Sequence, residues 1–185
     1  MRVIKKIVKE SLMILVAASI LSTIGGIGLE AIKQKVAFFI PLLILIPALN
    51  DMIGDFGTII SSRFTTLLFE GKIRGKWWKS KELAKEFGTI STISLFIAFY
   101  LGMLSIFFSL LQGFKVNTIE ILKVVAISYI LTASLVLTIF FVSIVSGLFV
   151  YKRKKDPNNI LIPLTTALAD IGSLILFSIL VWLLF

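Results

Sequence analysis

The sequence predicts an all-α, polytopic membrane protein with five transmembrane helices. Three observations carry that prediction: five apolar runs long enough to span hydrocarbon, a composition too apolar for a water-soluble core, and basic residues gathered in alternate loops. Of 185 residues, 58% are hydrophobic and the mean hydropathy is +1.04, whereas soluble domains hold about half apolar residues. Lipid must therefore solvate much of the surface.

Taken in order, residues 1–10, MRVIKKIVKE, read as a basic amphipathic lead-in on the anionic cytoplasmic leaflet. The spans are expected at 11–29, 36–69, 87–111, 119–151 and 159–185, each reaching the roughly 20 residues that cross about 30 Å of hydrocarbon as a helix. The first is too long for a cleaved signal peptide, is followed by no small-residue cleavage site, and is expected to be retained. Its Ala18, Ser22 and Gly26, four residues apart, read as a packing face. The second and fourth exceed one crossing, which implies tilt, a break or projection beyond the bilayer. Pro41 and Pro47 favour a break in the second. On the third, Ser91, Ser94, Ala98, Gly102, Ser105 and Ser109 fall within about 80° of one another, a small-residue face for close helix packing. The aromatic residues, sixteen of them Phe, read mostly as lipid-facing bulk.

Loop charge sets the orientation, because Lys and Arg resist translocation. One side carries Arg2, Lys5, Lys6 and Lys9, then Lys72, Arg74, Lys76, Lys79, Lys81 and Lys85, then Lys152, Arg153, Lys154 and Lys155. The other has Lys33, Lys35, Lys115 and Lys123. The imbalance places the N-terminus in the cytoplasm and, after five spans, the C-terminus outside a multi-pass protein of the cell membrane. The polar stretch Gly71 to Glu86 is too short for a soluble domain, and its Trp77 and Trp78 read as an interfacial anchor.

Absent residues exclude whole chemistries. Without cysteine or histidine there can be no disulfide, thiolate zinc site, catalytic thiol, imidazole base or haem ligand. Any metal must be held by oxygen. The net charge of +9 lies in short loops rather than on one amphipathic face, so nucleic acid is not an expected partner.

Seven of the ten acidic residues, Glu10, Glu30, Glu70, Glu82, Glu86, Glu120 and Asp156, sit in loops or at run ends. Asp51, Asp55 and Asp170 lie inside spans, where a charge costs a few kcal/mol and marks a candidate functional group. At about 100° per residue from Asp51, Asp55 falls near 40°, Thr58 near −20° and Ser62 near 20°, a continuous oxygen-bearing stripe. In the last run Thr166, Asp170 and Ser173 fall within about 60° of one another, with Pro163 one turn earlier. Asn50 adds an amide, and Gly54 and Gly57 allow close approach by an ion or a neighbouring helix. Arg63 reads as paired with Asp55 or reaching the cytoplasmic interface. Hard divalent cations take carboxylate, carbonyl and water oxygens, and these faces suit that class.

The segment from Pro47 to Thr58, PALNDMIGDFGT, resembles the second transmembrane helix of the MgtE magnesium channels, where a proline precedes a Met-Gly-Gly-Asn-Ala-Gly-Thr segment. The continuation Ser61-Ser62-Arg63-Phe64-Thr65-Thr66 is similar to the related eukaryotic solute-carrier magnesium transporters. Asp156-Pro157, Pro163, Thr165-Thr166 and Asp170 resemble the family's Asp-Pro…Pro…Thr-Thr-Leu-x-Asp pattern, whose last aspartate faces the ion pathway. The resemblance covers the membrane domain and implies a homodimer of five-helix protomers, with the ion path between the second and fifth helices at the subunit interface. It implies that Asp170 contacts hydrated magnesium. Asp55 stands where bacterial members carry asparagine, so this pore would be more negative; Asp51 has no counterpart and rests on the stripe alone. The family's cytoplasmic sensing domains have no counterpart in these residues. Asn158 and Asn159 are expected to do no more than cap the last helix.

The expected function is movement of Mg²⁺ through a pore lined by Asp170, Asp55 and Asp51, with Mn²⁺, Co²⁺ and Ca²⁺ also compatible with oxygen ligands. No enzymatic activity and no cofactor are expected. Two other classes were weighed. A magnesium-dependent lipid phosphotransferase would need a second aspartate pair that no adjacent run supplies. A non-conducting accessory subunit would pair with a similar chain.

Overall fold

The computed structural model describes the backbone of residues 2–73 and 77–185, with side chains at 12, 16, 19, 20, 22, 23 and from 25 onward within those stretches. The amphipathic face expected for 1–10, Ala18 in the first packing face, and Arg74 and Lys76 of the polar loop lie outside the described residues.

Five α-helices follow in order: α1 (Arg2–Phe38), α2 (Ile40–Phe69), α3 (Lys81–Leu111), α4 (Thr118–Lys152) and α5 (Asn158–Leu184), with a short 3₁₀ turn at Trp77–Lys79. There is no strand among the described residues. There, α2, α3, α4 and α5 are each long and apolar enough to cross a membrane.

Local chemistry explains where the helices stop. The apolar stretch from 36 to 69 is divided at Phe39, which leaves the helical region with φ −123° and ψ 88°. Pro41 disfavours helical geometry just before it and sits in the first turn of α2, where its missing N–H costs nothing. Pro47 stays within α2, so the expected break falls before Pro41 and not at Pro47. The residues from 30 to 35, read as a connection, and 36 to 38, read as the start of the second span, continue α1 instead. The charged cluster that looked like a loop is a helix end, with Lys33 paired to Glu30.

Ser80 caps α3 by accepting from the Leu83 amide, and Asn117 with Glu120 forms a reciprocal capping box on α4. The expected capping by Asn158 and Asn159 is corrected. It is Asp156 that accepts from the Asn158 amide at 3.0 Å, while the Asn158 side-chain oxygen is buried without a partner. Gly71 and Gly113 end α2 and α3 in the left-handed region, at φ 67° and 80°. Lys154 takes that position after α4 with φ 56°. Beyond α2, Glu70 accepts from Lys72 at 2.6 Å and raises the lysine pKa above its ordinary value.

In the bundle, α2 packs against α3, α4 and α5, while α1 lies mainly along α5. The face expected on α3 is buried at Ser94, Ala98, Gly102, Ser105 and Ser109. A Cβ on Gly102 would stand 3.0 Å from Ser128 Oγ of α4. The α3 serines return their protons to their own helix, as Ser109 Oγ does to the Ser105 carbonyl at 2.7 Å, so packing requires no outside partner. Trp77 and Trp78 stack edge to face with centroids 5.6 Å apart at the polar end of the bundle.

Candidate ion site

The α2–α5 contact is polar at two levels. At one, Asn50 Nδ2 donates to Asp170 Oδ1 at 3.0 Å. Ser173 Oγ donates to Asn50 Oδ1 and also lies 3.1 Å from the Asp170 carbonyl. A carboxylate only accepts, so the bond to Oδ1 fixes the amide with its nitrogen toward Asp170 and its oxygen toward Ser173. At the other level, Ser61 Oγ meets Thr165 Oγ1 at 3.0 Å, both buried. Thr165 sends its own proton to the Leu161 carbonyl at 2.9 Å, which makes Ser61 the donor. Between the two levels, a Cβ on Gly57 would stand 3.2 Å from the Thr165 Cβ, so only glycine lets α2 lie this close without displacement.

These pairs define an antiparallel register, since α2 numbers rise as α5 numbers fall. Asp55, five residues beyond Asn50 and two before Gly57, therefore lies near the depth of Asp170. It does not share Asp170's surroundings. On α2, Asn50, Gly57 and Ser61 form the row against α5, whereas Asp51, Asp55, Thr58 and Ser62 form a row turned by roughly 100°. Asp51, Asp55 and Ser62 are exposed on the outside of the bundle and Thr58 is half-buried. Asp51 and Asp55 border a cleft of about 400 Å³ between α2 and α3, beside Ile97 and Leu101. Asp170 borders a different cleft, of about 430 Å³, together with Pro163 and Thr166 of α5 and with Ser19, Ser22 and Thr23 of α1. Gly54 has open space where a Cβ would stand.

No ion pair joins Asp55 to Arg63 among the described residues, which corrects that expected pairing; Arg63 is exposed. Within that set no three acidic side chains come together in one protomer. The chain thus offers separate carboxylates, spread over about one helical turn of depth and on two faces, rather than a closed cage.

Two contributions were missed from sequence. Ser61 and Thr165 hold α2 to α5, a role signalled only by the spacing from Asn50 through Gly57 to Ser61, which marks a second helical row. Ser22, read with Ala18 and Gly26 as packing, borders the cleft that holds Asp170, as do Ser19 and Thr23.

A helical bundle with four helices long and apolar enough to cross a membrane is that of a multi-pass membrane protein. Residues 46–180 match the family model of the MgtE divalent cation transporters, and the chain belongs to that family. No curated protein and no solved structure matches it.

Proposed function

We propose that this member of a divalent cation transporter family moves Mg²⁺ through a path between α2 and α5 at a homodimer interface. Asp170, Asp55 and Asp51 supply the negative charge. The observation that carries the reading is the exposure of Asp51 and Asp55 on a long apolar helix, within about a turn of Asp170 in depth and without a counter-charge among the described residues. Carboxylates facing hydrocarbon would cost a few kcal/mol each, so that face calls for water, an ion or a second protomer. A second copy set against the α2 stripe would cover it and double the carboxylates. Mg²⁺ gives up its waters reluctantly, and carboxylates spaced apart suit a hydrated ion better than a stripped one. Asn50 and Ser173 hold Asp170, Gly57 sets the helix spacing, and Gly54, Thr58, Ser62, Pro163 and Thr166 line or shape the route.

The same reading gives α1 a crossing of its own, five in all, with the N-terminus cytoplasmic and the C-terminus outside. Its 37 residues amount to about 55 Å of helix. It runs alongside the spanning helix α5, and the loop charges decide the direction.

Purified protein in liposomes loaded with a magnesium dye tests the assignment. Uptake should require the protein and should collapse in Asp170→Ala; uptake unchanged by that substitution overturns the role of Asp170. Because the chain has no cysteine, Thr58→Cys supplies a single thiol on the α2 stripe. A disulfide-linked dimer formed on mild oxidation supports the interface, and persistent monomer overturns it.

A further inference from the structure

The cleft beside Asp170 has a wall that the α2–α5 reading does not use. Along α1 and α5, a Cβ on Gly25 would meet Ile171 Cα at 3.3 Å and one on Gly28 would meet Ser178 Oγ at 3.1 Å. Further along, Lys35 Nζ donates to the Trp182 carbonyl at 3.3 Å. Both numbers rise together, so the two helices run parallel in a steady register. Extended toward the start of α1, that register sets Ser19, Ser22 and Thr23 beside the stretch from Pro163 to Asp170, where they border the cleft. All three lie within about 100° on one face of α1.

The hydrogen bonds show what the cleft can receive. Thr23 Oγ1 gives its proton to the Ser19 carbonyl at 2.9 Å, and Thr166 Oγ1 gives its proton to the Ile162 carbonyl at 3.0 Å. Each hydroxyl is left with lone pairs to offer. Asp170 Oδ1 is held by Asn50, and Oδ2 has no hydrogen-bond partner among the described residues. Pro163 contributes no N–H. The walls are therefore rich in acceptors, and acceptors suit the outward-pointing hydrogens of water bound to a cation. An anion would find few donors there.

We propose that α1 forms a third wall of the ion path, with Thr23 and Ser22 accepting hydrogen bonds from the water shell of a divalent cation drawn by Asp170. The proposal rests on the reading of Asp170 as an ion-facing carboxylate.

Single thiols test it in the full chain in liposomes, since no native cysteine interferes. Ser22→Cys and Thr23→Cys are compared with Phe96→Cys, at the middle of α3 on its outer surface. A small water-soluble methanethiosulfonate should label the α1 thiols about tenfold faster than the α3 thiol, because only wet thiols ionise readily. Millimolar Mg²⁺ should slow the α1 labelling, and adding Asp170→Asn should remove that protection. Labelling no faster than at Phe96→Cys, or labelling indifferent to Mg²⁺, overturns the proposal. A second measurement does not depend on thiols. Thr23→Val keeps the shape but loses the acceptor and should reduce Mg²⁺ uptake about fivefold, the worth of one hydrogen bond, while Thr23→Ser keeps it. Equal uptake by Thr23→Val and wild type also overturns it. If wild-type liposomes take up no divalent cation, the transport reading fails on its own, and the labelling still decides whether hydrated Mg²⁺ reaches α1.

Discussion

Asn50 on α2 donates to Asp170 on α5 at 3.0 Å, and Ser173 holds the other end of the same amide. One carboxylate oxygen is thereby tied to the neighbouring helix and the other left for the cleft. Asn50→Leu keeps the approximate volume and removes both bonds, leaving Asp170 without its donor, while Ser173 keeps the Asp170 carbonyl at 3.1 Å as an acceptor. A hydrogen bond to a charged group contributes about 1.5–3 kcal/mol, so thermal stability in detergent should fall, and Mg²⁺ uptake should fall about tenfold or more as the carboxylate loses its orientation. Ser173→Ala should cost less on both measures, because Asn50 can still donate to Asp170. Uptake in Asn50→Leu equal to wild type would show that the amide does not position Asp170.

The buried Ser61–Thr165 pair gives the opposite expectation. Both hydroxyls are fully buried, yet Thr165 retains its bond to the Leu161 carbonyl without Ser61. Hydrogen bonds between transmembrane helices contribute about 0.6 kcal/mol on average. Ser61→Ala should therefore lower the melting temperature slightly and leave Mg²⁺ uptake near the wild-type rate. A loss of uptake comparable to that of Asp170→Ala would move Ser61 from helix packing into the path itself.

The sequence disclosed the four long apolar helices α2 to α5 because hydrophobicity and length are properties of each run taken alone, and because lipid forces backbone groups to bond within their own helix. The caps at Ser80 and Asn117 are signals of the same local kind, but they went unread: the third span was expected from 87, whereas α3 starts at Lys81. The first connection was misplaced because Glu30, Lys33 and Lys35 looked like loop charge, although nothing before Phe39 prevents the helix from continuing. The site divided along the same line. Helical spacing was enough to put Asp51, Asp55, Thr58 and Ser62 in one row, which depends on a single helix. It could not say that the row beside it faces α5, or that Ser22 shares a cleft with Asp170, because those facts depend on how separate helices dock. Asn50 was visible as an amide, but its bond to a residue 120 positions away was not.

Gly57 and Gly54 separate close packing from open space. A Cβ at Gly57 would press on Thr165 at 3.2 Å, whereas one at Gly54 would meet nothing within 4 Å. Gly57→Leu should push α2 from α5, loosen the Asn50–Asp170 bond, and lower both stability and uptake, with a cost of about 1–3 kcal/mol for overpacking. Gly54→Ala should fold and conduct as wild type or slightly better, since alanine favours the helix by about 1 kcal/mol. Thermal melts of the two variants in the same detergent check the contrast, and equal tolerance at both positions would contradict the close contact.

Lys154 ends α4 in the left-handed region at φ 56°, where a side chain costs about 1–2 kcal/mol that glycine does not incur. Lys154→Gly should raise the melting temperature. It leaves Mg²⁺ uptake unchanged, because the turn lies away from the three aspartates. An unchanged or lowered melting temperature would mean that Lys154 makes a compensating contact through its ammonium.

Asp51 and Asp55 have no ion-pair partner among the described residues, so their part in the proposed path is electrostatic and should show as a dependence on ion concentration. Each carboxylate raises the local concentration of cations, by an amount that shrinks as salt shortens the reach of charge to about 8 Å near physiological ionic strength. Replacing both with asparagine keeps the shape and one accepting oxygen at each position while removing two charges per chain. Uptake at low Mg²⁺ should fall several-fold, uptake at saturating Mg²⁺ should fall much less, and added monovalent salt should slow the variant less than it slows wild type. Asp170→Asn should instead lower uptake at every Mg²⁺ concentration, because that carboxylate is assigned direct contact with the hydrated ion. If the double variant and Asp170→Asn show the same concentration profile, the two faces of α2 and α5 act as one site, and the division between an attracting charge and a contacting one must be abandoned.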